Sequence, residues 1–222
     1  MGSMSGQKIA GAAAILFIIM TLVSGFMVSP PPSPNESAAK FLEYYSDNRN
    51  ALLAQGIIAL LSNIPAFLFI AGLWNILRAD DRHGDVLANG SLFAFITAGA
   101  IASVASVVSM GLAMSADGNG LTEESARTIG LVFVLANPAI FSSMAAATGF
   151  SGLIITRGTR LPTWIGWIGL LNGLVLLVAT FSVAMSGAFE PYGLVGFAGF
   201  MLLAIYAVVL GVFMWLRAPD NG

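Results

Sequence analysis

The sequence predicts an all-α integral membrane protein, built as a bundle of six transmembrane helices. Of its 222 residues, 57% are hydrophobic and only 9% are charged, whereas soluble domains carry about a quarter charged residues. The apolar residues form six uncharged segments, each at least the roughly 20 residues that a helix needs to cross a bilayer core. All charged residues lie between or outside these segments. We therefore predict a single polytopic domain over residues 1–222.

Each predicted span is one uninterrupted apolar run. The third and fourth runs are longer than a bilayer requires, so these helices are expected to tilt or to project into an interface. Residues 1–3, which precede a second methionine at position 4, have the composition of a cloning remnant. The six runs occupy 9–28, 51–77, 86–116, 128–156, 164–189 and 194–216.

A short amphipathic helix is predicted over residues 34–47, between the first two spans. Ser33 is a candidate cap, Pro34 suits the first helical position, and Glu36 completes a capping box three residues after the serine. Apolar residues then recur at helical spacing as far as Tyr45, which gives one apolar face. This helix would lie on the outer membrane surface or over the mouth of the bundle. A helical extension of the second span explains the pattern equally well.

The loop before the fourth span carries a second helix-start signal. Thr122 is a candidate cap, and Glu123 and Glu124 follow it in the first turn, where the helix dipole favours acidic side chains.

The distribution of basic residues predicts the orientation. If the N-terminus is cytoplasmic, six of the nine basic residues are cytoplasmic and three are outside. The positive-inside rule therefore favours an N-in, C-in topology. The six are Lys8, Arg78, Arg82, Arg157, Arg160 and Arg217, and the three are Lys40, Arg49 and Arg127.

The composition argues against several classes of function. The net charge is −2 and no basic run is present, so binding to nucleic acid has no support. The absence of cysteine excludes disulfides and cysteine-based metal sites, and His83 alone cannot form a histidine site. We expect no cofactor and no metal. No Asp, Glu, His, Lys or Arg lies within a span, which disfavours proton coupling, voltage sensing and acid–base catalysis. We therefore expect a protein that is not an enzyme.

One charged cluster, residues 78–85, could in principle hold a cation. Its candidate ligands are Asp80, Asp81, His83 and Asp85. A solvated cytoplasmic turn is the interpretation we favour, because charged clusters usually remain in water.

The fourth span contains Asn137-Pro138-Ala139, the tripeptide on which aquaporins build their pore. An aquaporin needs two such motifs on half-helices and an arginine at the constriction. Here the motif lies inside a long apolar segment, and the other candidate, Asn63-Ile64-Pro65, has an inserted residue. The context therefore does not fit an aquaporin, and Pro65 and Pro138 are predicted to kink their helices.

The same residues suggest a binding site at mid-membrane. If both kinks face inward, the amides of Asn63, Asn137 and Asn172 would converge, with the hydroxyl of Tyr206 as a further candidate. Kinked helices with local polar repair of their own backbone explain these residues more simply. Small residues at helical spacing indicate close helix packing instead of chemistry; they include Gly99 with Ser103, Ala145 with Gly149, and Gly169 with Gly173.

The stretch RGTRLPTWIGWIGLLNG, residues 157–173, resembles a family of six-span bacterial membrane proteins classed as a domain of unknown function. These proteins show an arginine-containing inner turn, then Leu-Pro-x-Trp and Gly-Trp-x-Gly at the start of the fifth helix. The resemblance implies a multi-pass protein of the bacterial inner (plasma) membrane and implies no activity. The matching residues are Arg157, Arg160, Leu161, Pro162, Trp164, Gly166, Trp167 and Gly169.

Two hypotheses of function follow. The first is a non-enzymatic accessory or structural subunit that packs with itself, with a membrane-complex partner or with lipid. The alternative is a carrier or channel for a neutral or apolar small molecule, with a mid-membrane cavity near the Asn and Pro residues. In both cases the lipid bilayer is the surrounding medium.

Overall fold

The computed structural model describes residues 6–80, 85–116, 120–158, 160–183 and 187–216. Within these ranges the chain forms eight α-helices and no strand, so the predicted all-α class is confirmed. The helices are α1 Gly6–Phe26, α2 Ala38–Asp47, α3 Arg49–Leu61, α4 Asn63–Asp80, α5 Val86–Ser115, α6 Glu123–Thr156, α7 Thr163–Ala179 and α8 Leu194–Leu216.

Five helical stretches in the described ranges are long and apolar enough to cross a membrane. They are α1, the stretch Arg49–Ala79 formed by α3 and α4, α5, α6 and α8. Helix α7 is equally apolar but has 17 residues, or about 26 Å at 1.5 Å per residue. The chain is thus a multi-pass membrane protein by helix length and composition.

The fifth predicted span, 164–189, is too long, because α7 ends at Ala179. The hydroxyl of Thr180 donates to the carbonyl of Leu176 at 3.0 Å, and the amide of Phe181 bonds to Val178 three residues back. Such bonds tighten a last turn and satisfy its carbonyls. The hydropathy remains high over residues 180–183, but their backbone has left the helix.

The second predicted span is two helices, with a break at Ser62. The hydroxyl of Ser62 donates to the carbonyl of Ala59 at 2.7 Å, and Nδ2 of Asn63 donates to Leu60 at 3.1 Å. Pro65 lies in the first turn of α4, where a missing backbone donor costs nothing because the first amides of a helix have no partner. Pro65 therefore helps to start a helix and does not kink the interior of one.

Helix α2 begins at Ala38, later than the predicted 34–47. The predicted capping box is wrong, because the hydroxyl of Ser33 donates to the carboxylate of Glu190 at 2.9 Å and Glu36 pairs with Lys40 at 2.8 Å. Ser33 thereby links the loop after α1 to the connection before α8. The predicted cap at the start of α6 is confirmed: Thr122 accepts from the amide of Ser125.

The apolar face of α2 packs on protein. Phe41 and Tyr45 are fully buried, and both side chains lie against Gly130 of α6, where a Cβ would come within 3.2 Å of each. Asn48 separates α2 from α3, so α2 is not a simple extension of the second span. This layer has its own small apolar core, which includes Leu52, Leu112 and Ala126.

The main core is formed by helices that cross at glycines. A Cβ on Gly152 of α6 would lie 2.7 Å from the carbonyl oxygen of Gly166 in α7, and one on Gly11 of α1 would lie 2.6 Å from that of Gly211 in α8. Backbones can approach this closely only where no side chain intervenes. These two contacts place α7 on α6 and α8 on α1.

Candidate functional site

A cavity of about 270 Å³ lies between α1, α3, α4, α5 and α6, with α7 and α8 completing its wall. Most of its lining is apolar and aromatic, including Phe69, Phe95 and Phe141. The polar residues of the lining come from four helices and from the break between α3 and α4: Thr21, Ser24, Ser62, Asn63, Ser103, Ser106 and Asn137.

Asn63 is positioned in the wall by two hydrogen bonds. Its Nδ2 donates to the carbonyl of Leu60 at 3.1 Å and to the hydroxyl of Ser103 at 3.0 Å. Ser103 in turn donates to the carbonyl of Gly99 at 2.8 Å. Asn63 thus bonds back across the break to α3 and also ties α4 to α5.

Asn137 lines the same cavity from α6. Its Nδ2 is buried and has no well-formed hydrogen bond within the described part of the chain. Desolvation of the Tyr192 hydroxyl raises the pKa of that phenol to about 12, and an interaction with the Asn137 amide lowers the pKa by less. Helix α6 continues through the buried Pro138.

Two serine hydroxyls bond to the backbone close to Pro138. Ser142 and Ser143 both donate to the carbonyl of Ala139, at 2.9 and 3.1 Å. The segment around Pro138 thus combines serine-to-backbone hydrogen bonds with a place in the cavity wall.

Asn172 and Tyr206, the other two predicted site residues, do not line the cavity. Asn172 is fully buried in α7, and neither amide atom has a hydrogen-bond partner among the described residues. The Tyr206 hydroxyl lies 2.9 Å from that of Ser151 and packs against Gly169. The structure therefore brings together Asn63 and Asn137 and places Asn172 and Tyr206 in the packing of α6, α7 and α8.

The small-residue pairs are used within the chain. A Cβ on Gly173 would lie 3.0 Å from the Cα of Gly149 and 3.1 Å from the carbonyl oxygen of Ala145. Gly169 approaches Gly152 in the same way. These contacts explain why the Gly-Trp-x-Gly segment contains glycines, which lie where α7 approaches α6. Trp164 packs edge-on against Phe213 of α8, with ring centroids 5.5 Å apart.

The charged turn at 78–85 is only partly described. Asp85 pairs with Arg78 at 2.9 Å, and the guanidinium of Arg78 lies over the Trp74 ring. Asp81 and His83 lie outside the described residues, and of Asp80 only the helical backbone is described. Among the residues that are described, no three His, Cys, Asp or Glu side chains group where they could hold a metal ion.

Several residues of the cavity wall were not singled out from the sequence as binding candidates. Thr21 and Ser24 of α1 and Ser106 of α5 belong to this group. The available signal was weak: a hydroxyl residue within an apolar span is common, and only its place on an inward face distinguishes it.

The described helices and the cavity can be compared with known proteins. No curated protein matches this sequence, and no solved structure does. The family described as Domain of unknown function (DUF4386) matches residues 9–217, which include all eight helices except the first turn of α1. The resemblance carried by the 157–173 segment thus extends over nearly the whole sequence, and the chain belongs to the DUF4386 family.

Proposed function

We propose that this protein binds a neutral, largely apolar small molecule within the membrane, in the cavity between α1, α4, α5 and α6. The observation that carries the proposal is the cavity of about 270 Å³. A dry cavity of about 150 Å³ is enough to bind benzene, so this one holds roughly ten to twelve non-hydrogen atoms. None of the described residues in its wall is charged, which disfavours a charged solute because its desolvation would not be offset.

Phe67 of α4 supports access from the bilayer. It contributes to the cavity wall and is 57% exposed on the outside of the bundle. A molecule dissolved in the lipid can therefore reach the wall without passing through water. This arrangement suits a binding protein or carrier for membrane-dissolved compounds better than it suits an aqueous channel.

One basis of the accessory-subunit hypothesis is the set of small residues. In the structure, Gly152, Gly169 and Gly173 lie in contacts between α6 and α7. These three glycines are therefore not available to a second chain. Binding in the cavity is the function that the geometry supports best.

The test of this function fills the cavity and leaves the rest of the helix unchanged. Gly99 of α5 lines the cavity, and a Cβ there would meet only Oδ1 of Asn63, at 3.7 Å. Gly99→Leu should therefore extend into the cavity. Gly111→Leu is the matched control on the same helix, because nothing lies within 4 Å of its Cβ position.

Native mass spectrometry of the full-length protein, released from its own membrane in mild detergent, provides the measurement. The wild type and Gly111→Leu should carry a bound non-protein mass of small-molecule size, and Gly99→Leu should lack it. Equal occupancy in all three proteins, or no bound mass in any, would refute the proposal.

We also propose that the chain crosses a bacterial inner (plasma) membrane six times, with both termini in the cytoplasm. The excess of basic residues on one side supports this orientation, and α7 has nearly the length of the hydrocarbon core. The chain has no cysteine, so single introduced thiols report cleanly. On intact cells an impermeant maleimide should label Glu124→Cys, while Gly6→Cys should react only after permeabilisation. The reverse pattern would invert the topology.

A further inference from the structure

The hydrogen bonds around the cavity determine which polar group a bound ligand can carry. This inference about the ligand rests on the proposed binding function. Five hydroxyl side chains line the cavity, and each donates its single proton to a backbone carbonyl. What they can still offer to a ligand is an oxygen lone pair. The bonds, 2.7 to 3.2 Å long, run from Thr21 to Phe17, Ser24 to Gln55, Ser62 to Ala59, Ser103 to Gly99 and Ser106 to Ala102.

Asn63 also presents an acceptor. Its two amide protons are committed to the carbonyl of Leu60 and the hydroxyl of Ser103. Because a carbonyl oxygen can only accept, the atom facing Leu60 must be the nitrogen, and the orientation of the amide follows. Oδ1 is then the group left to a ligand, and it lies 3.7 Å from the Cβ position of Gly99 in the wall.

Asn137 does not change this pattern. Its Nδ2 has almost no accessible surface, so it presents no exposed donor to the open space of the cavity. The polar atoms that the described wall offers are thus oxygen lone pairs, from α1, from the residues at the break between α3 and α4, and from α5.

We infer that the ligand is a neutral, mostly apolar molecule that carries a hydroxyl-type hydrogen-bond donor, such as an aliphatic alcohol or a phenol, and that the hydroxyl donates to Oδ1 of Asn63. A ligand whose only polar group is an ether, ester or ketone would bring its oxygen against other oxygens and gain nothing. An ammonium ion also donates, but no carboxylate lines the described wall to offset the burial of its charge.

The test compares two probes of equal size, 1-decanol and 1-methoxynonane. Each has eleven non-hydrogen atoms, near the capacity estimated from the cavity volume, and only the alcohol can donate. Full-length protein in lipid nanodiscs is equilibrated with each probe at low mole fraction. The retained probe is quantified by gas chromatography–mass spectrometry against empty nanodiscs and against Gly99→Leu. We expect the wild type to retain decanol over the ether by about five-fold or more, as one buried hydrogen bond allows.

The results for the two probes distinguish a failure of the donor requirement from a failure of the proposed binding function. Equal retention of both probes above the Gly99→Leu level, or preference for the ether, overturns the donor requirement and leaves binding intact. Retention of neither probe above that level overturns the proposed function and this inference together. In Asn63→Leu the preference for decanol over the ether should fall toward one. The wild-type comparison does not depend on how this variant folds.

Discussion

Gly152→Ala, at the crossing of α6 and α7, tests the packing that shapes the bundle. The added Cβ would lie 2.7 Å from the carbonyl oxygen of Gly166, 2.7 Å from the amide nitrogen of Leu170 and 2.9 Å from the carbonyl carbon of Gly169. All three are backbone atoms, so no side chain can rotate away. Ordinary contact begins near 3.4 Å, and the two helices must therefore separate locally by about 0.7 Å (3.4 minus 2.7).

The cost of this separation follows from the loss of close contact. A gap of 0.5–1 Å removes about a quarter to a half of the dispersion energy at each atom pair, and overpacking of a well-packed interior costs about 1–3 kcal/mol. We expect Gly152→Ala to lower the free energy of unfolding by that amount. The unfolding equilibrium constant would rise by roughly 5- to 150-fold.

Unfolding in mixed micelles by titration with sodium dodecyl sulfate, followed by the fluorescence of the four tryptophans, measures this difference. Gly111→Ala serves as the control, because its Cβ enters open space and alanine favours a helix by up to about 1 kcal/mol over glycine. A Gly152→Ala protein within about 0.5 kcal/mol of the wild type would refute the close approach of α6 and α7.

Three further substitutions address other parts of the structure. Asn172→Leu should raise the free energy of unfolding in the same titration by about 1–3 kcal/mol, because it removes a buried amide without partners; a loss of stability would reveal a bond that the described residues do not supply. Ser91→Ala should lower it by about 0.5–1.5 kcal/mol through loss of the 2.9 Å bond to the Ala147 carbonyl, whereas Thr97→Ala, whose hydroxyl bonds within its own exposed helix turn, should change it little. Burial raises the pKa of the Tyr45 phenol, whereas phenols in the unfolded chain titrate near 10. Above about pH 10 the unfolded chain therefore loses a proton that the folded chain keeps, and the free energy of unfolding should fall as the pH rises further. Tyr45→Phe should weaken that fall and cost little at neutral pH, because the hydroxyl has no partner among the described residues; an unchanged pH dependence would contradict the burial of Tyr45.

Which residues form the cavity could be predicted only in part. Asn63 and Asn137 were candidates because an amide in an apolar span needs a partner, and both line the cavity. Asn172 met the same criterion and lies elsewhere. The three amides have similar apolar surroundings in the sequence. What distinguishes them is whether their side of the helix faces the cavity or a neighbouring helix, and this is decided by how the helices pack.

Local composition was sufficient for the class of protein and for most of the helices. A helix crosses a bilayer when enough consecutive residues are apolar, and this property depends only on residues close together in sequence. The bounds of α5 and α8 therefore agree with their predicted spans. The start of α6 could also be predicted from the sequence, because the Thr122 cap bonds to the first turn of its own helix.

Tertiary structure alone decided the features that depend on residues far apart in sequence. Ser33 bonds to Glu190 instead of capping a helix, and α7 ends while its sequence is still apolar. Gly11 meets Gly211 and Gly152 meets Gly166, and these contacts determine how closely whole helices approach each other. Hydropathy indicates which segments are apolar enough to enter a membrane. It does not indicate which side of a helix faces which neighbour, because that depends on the close packing of backbones.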